Sequence, residues 1–82
     1  MLQKKSFPID DVHVPVKRRK SLEPAKVEAL AADILDNGQL TPIRLRADGD
    51  RYVLIEGYHR LEALRALGED TVEAYLVGAR LH

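Results

Sequence analysis

Apolar and polar positions alternate over Val12, Val14 and Val16, with His13 and Pro15 between them, the period of a half-buried strand. Pro15 has no N–H to give a ladder, so this strand, residues 9–16, belongs at a sheet edge or a strand end. His13 falls on its polar side, as a solvated residue. The period then changes. Val27, Leu30, Ala31 and Ile34 recur at i, i+3, i+4 and i+7, which predicts an amphipathic helix over residues 23–37. Pro24 suits its first position, Glu23 places negative charge at its positive end, and Asn37-Gly38 is a stop signal. Ile43 and Leu45 next alternate with Arg44 and Arg46. Asp48-Gly49-Asp50 is a hairpin signal. The run Tyr52-Val53-Leu54-Ile55 reads as a return strand buried on both faces. A second helix starts after Gly57, turns Leu61, Leu64 and Leu67 inward, and stops at Gly68. Thr71 to Val77 alternates again, with Val72, Ala74 and Leu76 on one face.

The predicted order is strand, helix, strand, strand, helix, strand. It describes an α+β fold, a small mixed β-sheet with two helices on one face. The expected organisation is a flexible N-terminus over residues 1–8, one domain over residues 9–78 and a tail over residues 79–82. Lys17-Arg18-Arg19-Lys20 falls between strand and helix and reads as a loop.

Composition narrows the function classes. With 82 residues, a single domain is expected. The 13 basic and 13 acidic residues cancel, which does not favour DNA as the main ligand. The absence of cysteine excludes disulfides, thiolate metal sites and a cysteine nucleophile. No run of 18 apolar residues occurs and the first residues do not resemble a signal peptide, so a cytoplasmic protein without membrane contact is expected. His13, His59 and His82 are far apart and no pair has helical ligand spacing, so no metal site is assigned.

Candidate chemistry gathers at Leu54-Ile55-Glu56-Gly57-Tyr58-His59-Arg60, where an apolar strand meets a single Gly and a helix begins. The first N–H groups of a helix lack internal partners and carry partial positive charge. Gly57, without a Cβ, would let a ligand approach the backbone. His59 and Arg60 add side-chain donors, Arg60 as a fork that matches phosphate oxygens. The composite is an anion site suited to phosphate. Lys17, Arg18 and Arg19 would form a cationic rim, either on that site or as a solvated connection.

Three stretches in order resemble the ParB/sulfiredoxin superfamily: Leu22-Glu23-Pro24-Ala25-Lys26-Val27, Gly38-Gln39-Leu40-Thr41-Pro42-Ile43, and Glu56-Gly57-Tyr58-His59-Arg60 with Ala63 and Leu64. The likeness covers roughly residues 9–78. Sulfiredoxins carry Gly-Cys-His-Arg at the third stretch, and here Tyr58 replaces the Cys, so sulfinic acid reduction is not expected. Their small hydroxyl residues on the first helix fall on Ala29 and Asp33. ParB N-terminal domains, which bind and hydrolyse CTP, usually carry Gly-Glu-Arg-Arg, and Tyr58-His59 replaces Glu-Arg. Free-serine kinases of the superfamily carry a similar Asp-Gly-His-His-Arg.

The resemblance implies a nucleotide, ATP/ADP or CTP, normally with Mg²⁺. Lys26, Gly57, Tyr58, His59 and Arg60 would hold phosphate, and Gly38, Gln39, Thr41 and Pro42 would form a base-side loop. Glu56 and Tyr58 are the catalytic candidates for hydrolysis or small-molecule phosphoryl transfer, with Glu28 a further candidate base and Glu56 or Asp33 as outer Mg²⁺ ligands. The alternative is a non-enzymatic DNA-associated or protein-partner module of partition type. A dimer is compatible with either.

Overall fold

The hairpin signal at Gly49 closes β3 (Ile43–Asp48) onto β4 (Arg51–Glu56), and this antiparallel pair forms the middle of the sheet. The computed structural model describes residues 4–39 and 41–78. Around the hairpin lie β1 (Lys4–Pro8), β2 (Val12–His13) and β5 (Thr71–Val77), in the order β1-β5-β3-β4-β2. β1 is antiparallel to β5, β5 is parallel to β3, and β2 is parallel to β4. Three helices complete the chain: α1 (Val16–Arg19), α2 (Pro24–Asn37) and α3 (Tyr58–Ala66). Among the described residues no helix is long and apolar enough to cross a membrane.

The apolar stripes meet as their periods require. Phe7, Val12, Ile43, Leu45, Leu54, Val72 and Ala74 from the sheet pack with Ile34, Leu61 and Leu64 from α2 and α3. Val27, Leu30, Ala31, Leu67 and Leu76 pack against that core at its margins. Val53 and Leu54 are both buried although neighbours on one strand point to opposite faces, so β4 is covered on both sides, as its unbroken apolar run predicts. Among the described residues no polar or charged residue is buried.

Three sequence expectations are corrected. Residues 1–8 are not all flexible, because Lys4–Pro8 forms β1 and turns Phe7 into the core. β5 would otherwise present an unpaired ladder edge, and β1 covers it. Residues 9–16 are not one strand. Ile9–Asp11 forms a 3-10 turn, β2 spans two residues, and Pro15 stands at the N-cap of α1. Lys17–Lys20 is not a loop, since α1 takes up Lys17, Arg18 and Arg19.

This topology sets one end of the sheet apart. β4 runs antiparallel to β3, so its C-terminal end meets the start of β3, level with the second half of β5. Arg44 faces Glu56 across one ladder and Tyr75 across the other. The turn into α3 and the loop before β3 therefore arrive at the same edge.

Candidate functional site

Gly57 is the N-cap of α3, with φ +108° and ψ 32°, and no side chain caps the helix there. A Cβ at this position would lie 2.6 Å from Ile43 Cγ2 and 2.8 Å from Ile43 Cβ. The sequence reading assigned the missing Cβ to ligand approach. The structure assigns it to packing, because Ile43 of the core fills that space. The uncapped end still exposes the first N–H groups of α3, which have no helical acceptor.

Arg60, in the first turn of α3, lines a cleft of about 320 Å³ with Thr41, Pro42, Arg44, Glu56, Gly57 and Tyr75. Among the described residues Arg60 takes part in no ion pair. Two predicted groups thus converge here: Gly57 and Arg60 from the anion loop, Thr41 and Pro42 from the base-side loop. Arg44 and Tyr75 are additions that sequence reasoning missed for the cleft. The available signal was the outward place of Arg44 in its alternation.

His59 points elsewhere. Its Nε2 accepts the backbone N–H of Glu23 at 3.0 Å, tying α3 to the turn that leads into α2. A neutral imidazole accepting at Nε2 keeps its proton on Nδ1, so a single donor remains for an anion. Lys26 lies on the same side, ion-paired with Glu23 at 3.1 Å. Both side chains of that pair are more than half exposed, so it is a weak surface pair open to exchange. Tyr58 is half-buried against the core and 6.0 Å from the His59 ring, the setting of a packing residue.

The base-side loop divides. Gly38, with φ +77°, closes α2 by donating its N–H to the Ile34 carbonyl at 2.7 Å. Gln39 braces the loop. Its Nε2 donates to the Glu73 carbonyl at 3.0 Å and its Oε1 accepts the Glu73 N–H at 3.0 Å. The amide stands in for a strand residue beside β5 just before β3 begins. A second bond from Nε2 to the Thr41 carbonyl, at 3.1 Å, uses the remaining donor, which leaves no free amide hydrogen for a base edge. Gly38 and Gln39 line a separate depression with Glu73 rather than the cleft. Leu40 lies outside the described residues. We expect Gln39→Ala to destabilise the fold by about 1–3 kcal/mol, the cost of unpairing both groups of Glu73. A urea midpoint equal to that of the parent protein would rule this role out.

The cationic rim is also partly committed. Arg18 donates from its guanidinium to the Ile55 carbonyl, and Arg19 Nε donates to the Val14 carbonyl at 3.2 Å. Lys17 has no carboxylate partner among the described residues. Glu56 pairs with Arg44 Nε at 3.2 Å. Asp33 accepts from Asn37 Nδ2 at 2.9 Å, and Glu28 lines a groove between α2 and α3; neither lines the cleft. Among the described residues no group of three or more His, Asp or Glu side chains is placed to hold a metal.

The family model described as "ParB N-terminal domain" matches residues 3–80. A probable plasmid-partitioning protein ParB from Xylella fastidiosa (strain 9a5c) is 36% identical over 72 residues, covering 85% of this chain and 18% of that protein. The chain spans about a fifth of the length of the curated relatives it matches. Among solved structures, sulfiredoxin from Arabidopsis thaliana superposes with a TM-score of 0.85 at 26% identity, over 94% of this chain and 86% of that one. The C-terminally truncated chromosome-partitioning protein ParB from Caulobacter crescentus, complexed with CTP-gamma-S, matches with a TM-score of 0.81 at 23% identity, over 95% of this chain and 46% of that one. A free serine kinase variant in complex with ADP matches with a TM-score of 0.77 at 19% identity, over 90% of this chain and 30% of that one. At those two identities the likeness is one of fold.

Proposed function

The chain belongs to the ParB N-terminal domain family, and from that premise we propose that it binds a nucleoside di- or triphosphate, ATP/ADP or CTP, at the N-terminus of α3. The observation that carries this reading is the cleft in which the uncapped end of α3 and Arg60, without an ion pair among the described residues, meet the loop before β3. Phosphate oxygens there would accept from the first N–H groups of α3 and from the Arg60 fork. His59 and Lys26 both engage Glu23 at the turn into α2, and neither lines the cleft. CTP-gamma-S and ADP in the complexes of two fold neighbours support a nucleotide over free phosphate. Mg²⁺ would arrive with the nucleotide, and Glu56 is the one carboxylate among the residues that line the cleft. The same Glu56 is the candidate base if the bound phosphate is hydrolysed or transferred.

Titration with ATP, ADP and CTP plus Mg²⁺ should shift the amide resonances of Gly57, His59 and Arg60. Arg60→Ala should weaken the bound nucleotide by about 10- to 100-fold, the value of a lost hydrogen bond to a charged group. Amides unmoved at millimolar nucleotide would end the proposal.

A second reading, a DNA-associated module of partition type, draws on the partitioning relative and on the cations of α1. Such binding should weaken steeply with salt, and an affinity indifferent to salt would remove it.

A further inference from the structure

The cleft has a second wall that neither the phosphate grip nor the predicted base-side loop uses. Tyr75 stands on β5 between two cations, opposite Lys4 of β1 and opposite Arg44 of β3. Ala74 and Val72 are turned into the core, so alternation places Tyr75 on the other face of the sheet. Arg44 in turn faces Glu56 of β4, and their side chains meet at 3.2 Å. An aromatic ring, a guanidinium and a carboxylate thus follow one another across three neighbouring strands.

Glu56 holds this place because of an irregularity. Simple alternation would turn it to the helix face with Tyr52 and Leu54. The β3–β4 register shifts between Arg44 and Leu45, so Leu45 faces Leu54 but Arg44 faces Glu56. A bulge of this kind re-aims a side chain at the cost of ladder pairing, and such bulges gather beside functional sites. The intervening residue is Ile55, whose carbonyl accepts from Arg18 of α1. Arg18 therefore satisfies the irregular backbone that delivers Glu56 to the cleft.

Resting on the nucleotide reading above, we propose that Tyr75, Arg44 and Glu56 form the wall that recognises the nucleobase. The phosphates lie at Gly57 and Arg60, and the base lies over Tyr75. An aromatic face takes up any base by stacking. The Arg44–Glu56 pair then reads its edge. Only Arg44 Nε is engaged by Glu56, and the terminal nitrogens remain as donors among the described residues. Glu56, 71% exposed, offers its second oxygen to a base N–H. An adjacent donor and acceptor match the acceptor and N–H that a base presents side by side. Gln39, committed to Glu73, takes no part in this reading.

The test compares CTP, ATP, GTP, UTP and tripolyphosphate by calorimetry, against the parent protein, Tyr75→Thr and Arg44→Gln. Tyr75→Thr, which exchanges one strand-favouring residue for another, should weaken the preferred nucleotides by about tenfold or more and leave tripolyphosphate unchanged. Arg44→Gln should alter the order of the four nucleotides, again without changing tripolyphosphate. The inference is overturned if nucleotides bind the parent protein no more tightly than tripolyphosphate, or if the variants lose both kinds of ligand equally or neither. Binding of tripolyphosphate in those cases would leave the phosphate grip standing. A parent protein that binds none of the five would end both readings.

Discussion

Gly57→Ala is expected to bring this domain to the edge of unfolding. Two independent penalties meet at the position. At φ +108° an L side chain is strained, which costs about 1–3 kcal/mol. The new Cβ would also stand 2.6 Å from Ile43 Cγ2 and 2.8 Å from Ile43 Cβ. Ile43 is 1% exposed and enclosed by the core, so it cannot swing aside, and overpacking of this kind costs about 1–3 kcal/mol. The sum of about 2–6 kcal/mol compares with a total of roughly 4–12 kcal/mol for a chain of this length. Gly49→Ala is the control. It too has positive φ, +65°, but nothing lies within 4 Å of the added Cβ, so only the strain remains. Urea unfolding followed by circular dichroism should therefore show a markedly lower midpoint for Gly57→Ala than for Gly49→Ala. Equal midpoints would mean that Ile43 does not fill the space beneath the α3 cap.

Leu61→Ala should cost about 3–5 kcal/mol, the range for a fully buried leucine whose cavity does not collapse. Leu61 is 0% exposed and lies beside Arg60 in the first turns of α3. With Ala63 and Leu64 it packs that helix against the core, and it is the first fully buried residue after the N–H groups that would bind an anion. A loss of this size should lower the melting temperature by about 15 °C or more in a domain this small. Leu35→Ala, at a residue 75% exposed on α2, should change stability by no more than about 0.5 kcal/mol. Comparable losses at the two leucines would show that α3 is not anchored as described.

Elements whose stability is local were legible. The stripe Val27, Leu30, Ala31 and Ile34, with Pro24 before it and Gly38 after it, marked α2 to within a residue. Strands β3, β4 and β5 were legible because each has an alternating or unbroken apolar run between turn residues. Strand β1 was not. Four of its five residues are exposed, and it exists because β5 needs a partner along its edge. Helix α1 was not legible either. It has no buried residue, and its Arg18 and Arg19 reach carbonyls of Ile55 and Val14 that the sequence does not place beside them.

The candidate site divides on the same line. The chain by itself determined a glycine before a helix start, an arginine in its first turn and a Thr-Pro ahead of a strand. These follow from residue type and spacing, and they do converge on one cleft. Tertiary structure alone decided what each group is left free to do. It gave the space beside Gly57 to Ile43, the Gln39 amide to Glu73 and His59 Nε2 to Glu23. It also brought Arg44, Glu56 and Tyr75 together. Their meeting depends on the order of three strands and on a one-residue register shift, and cross-strand register is a property of paired segments that no single segment encodes.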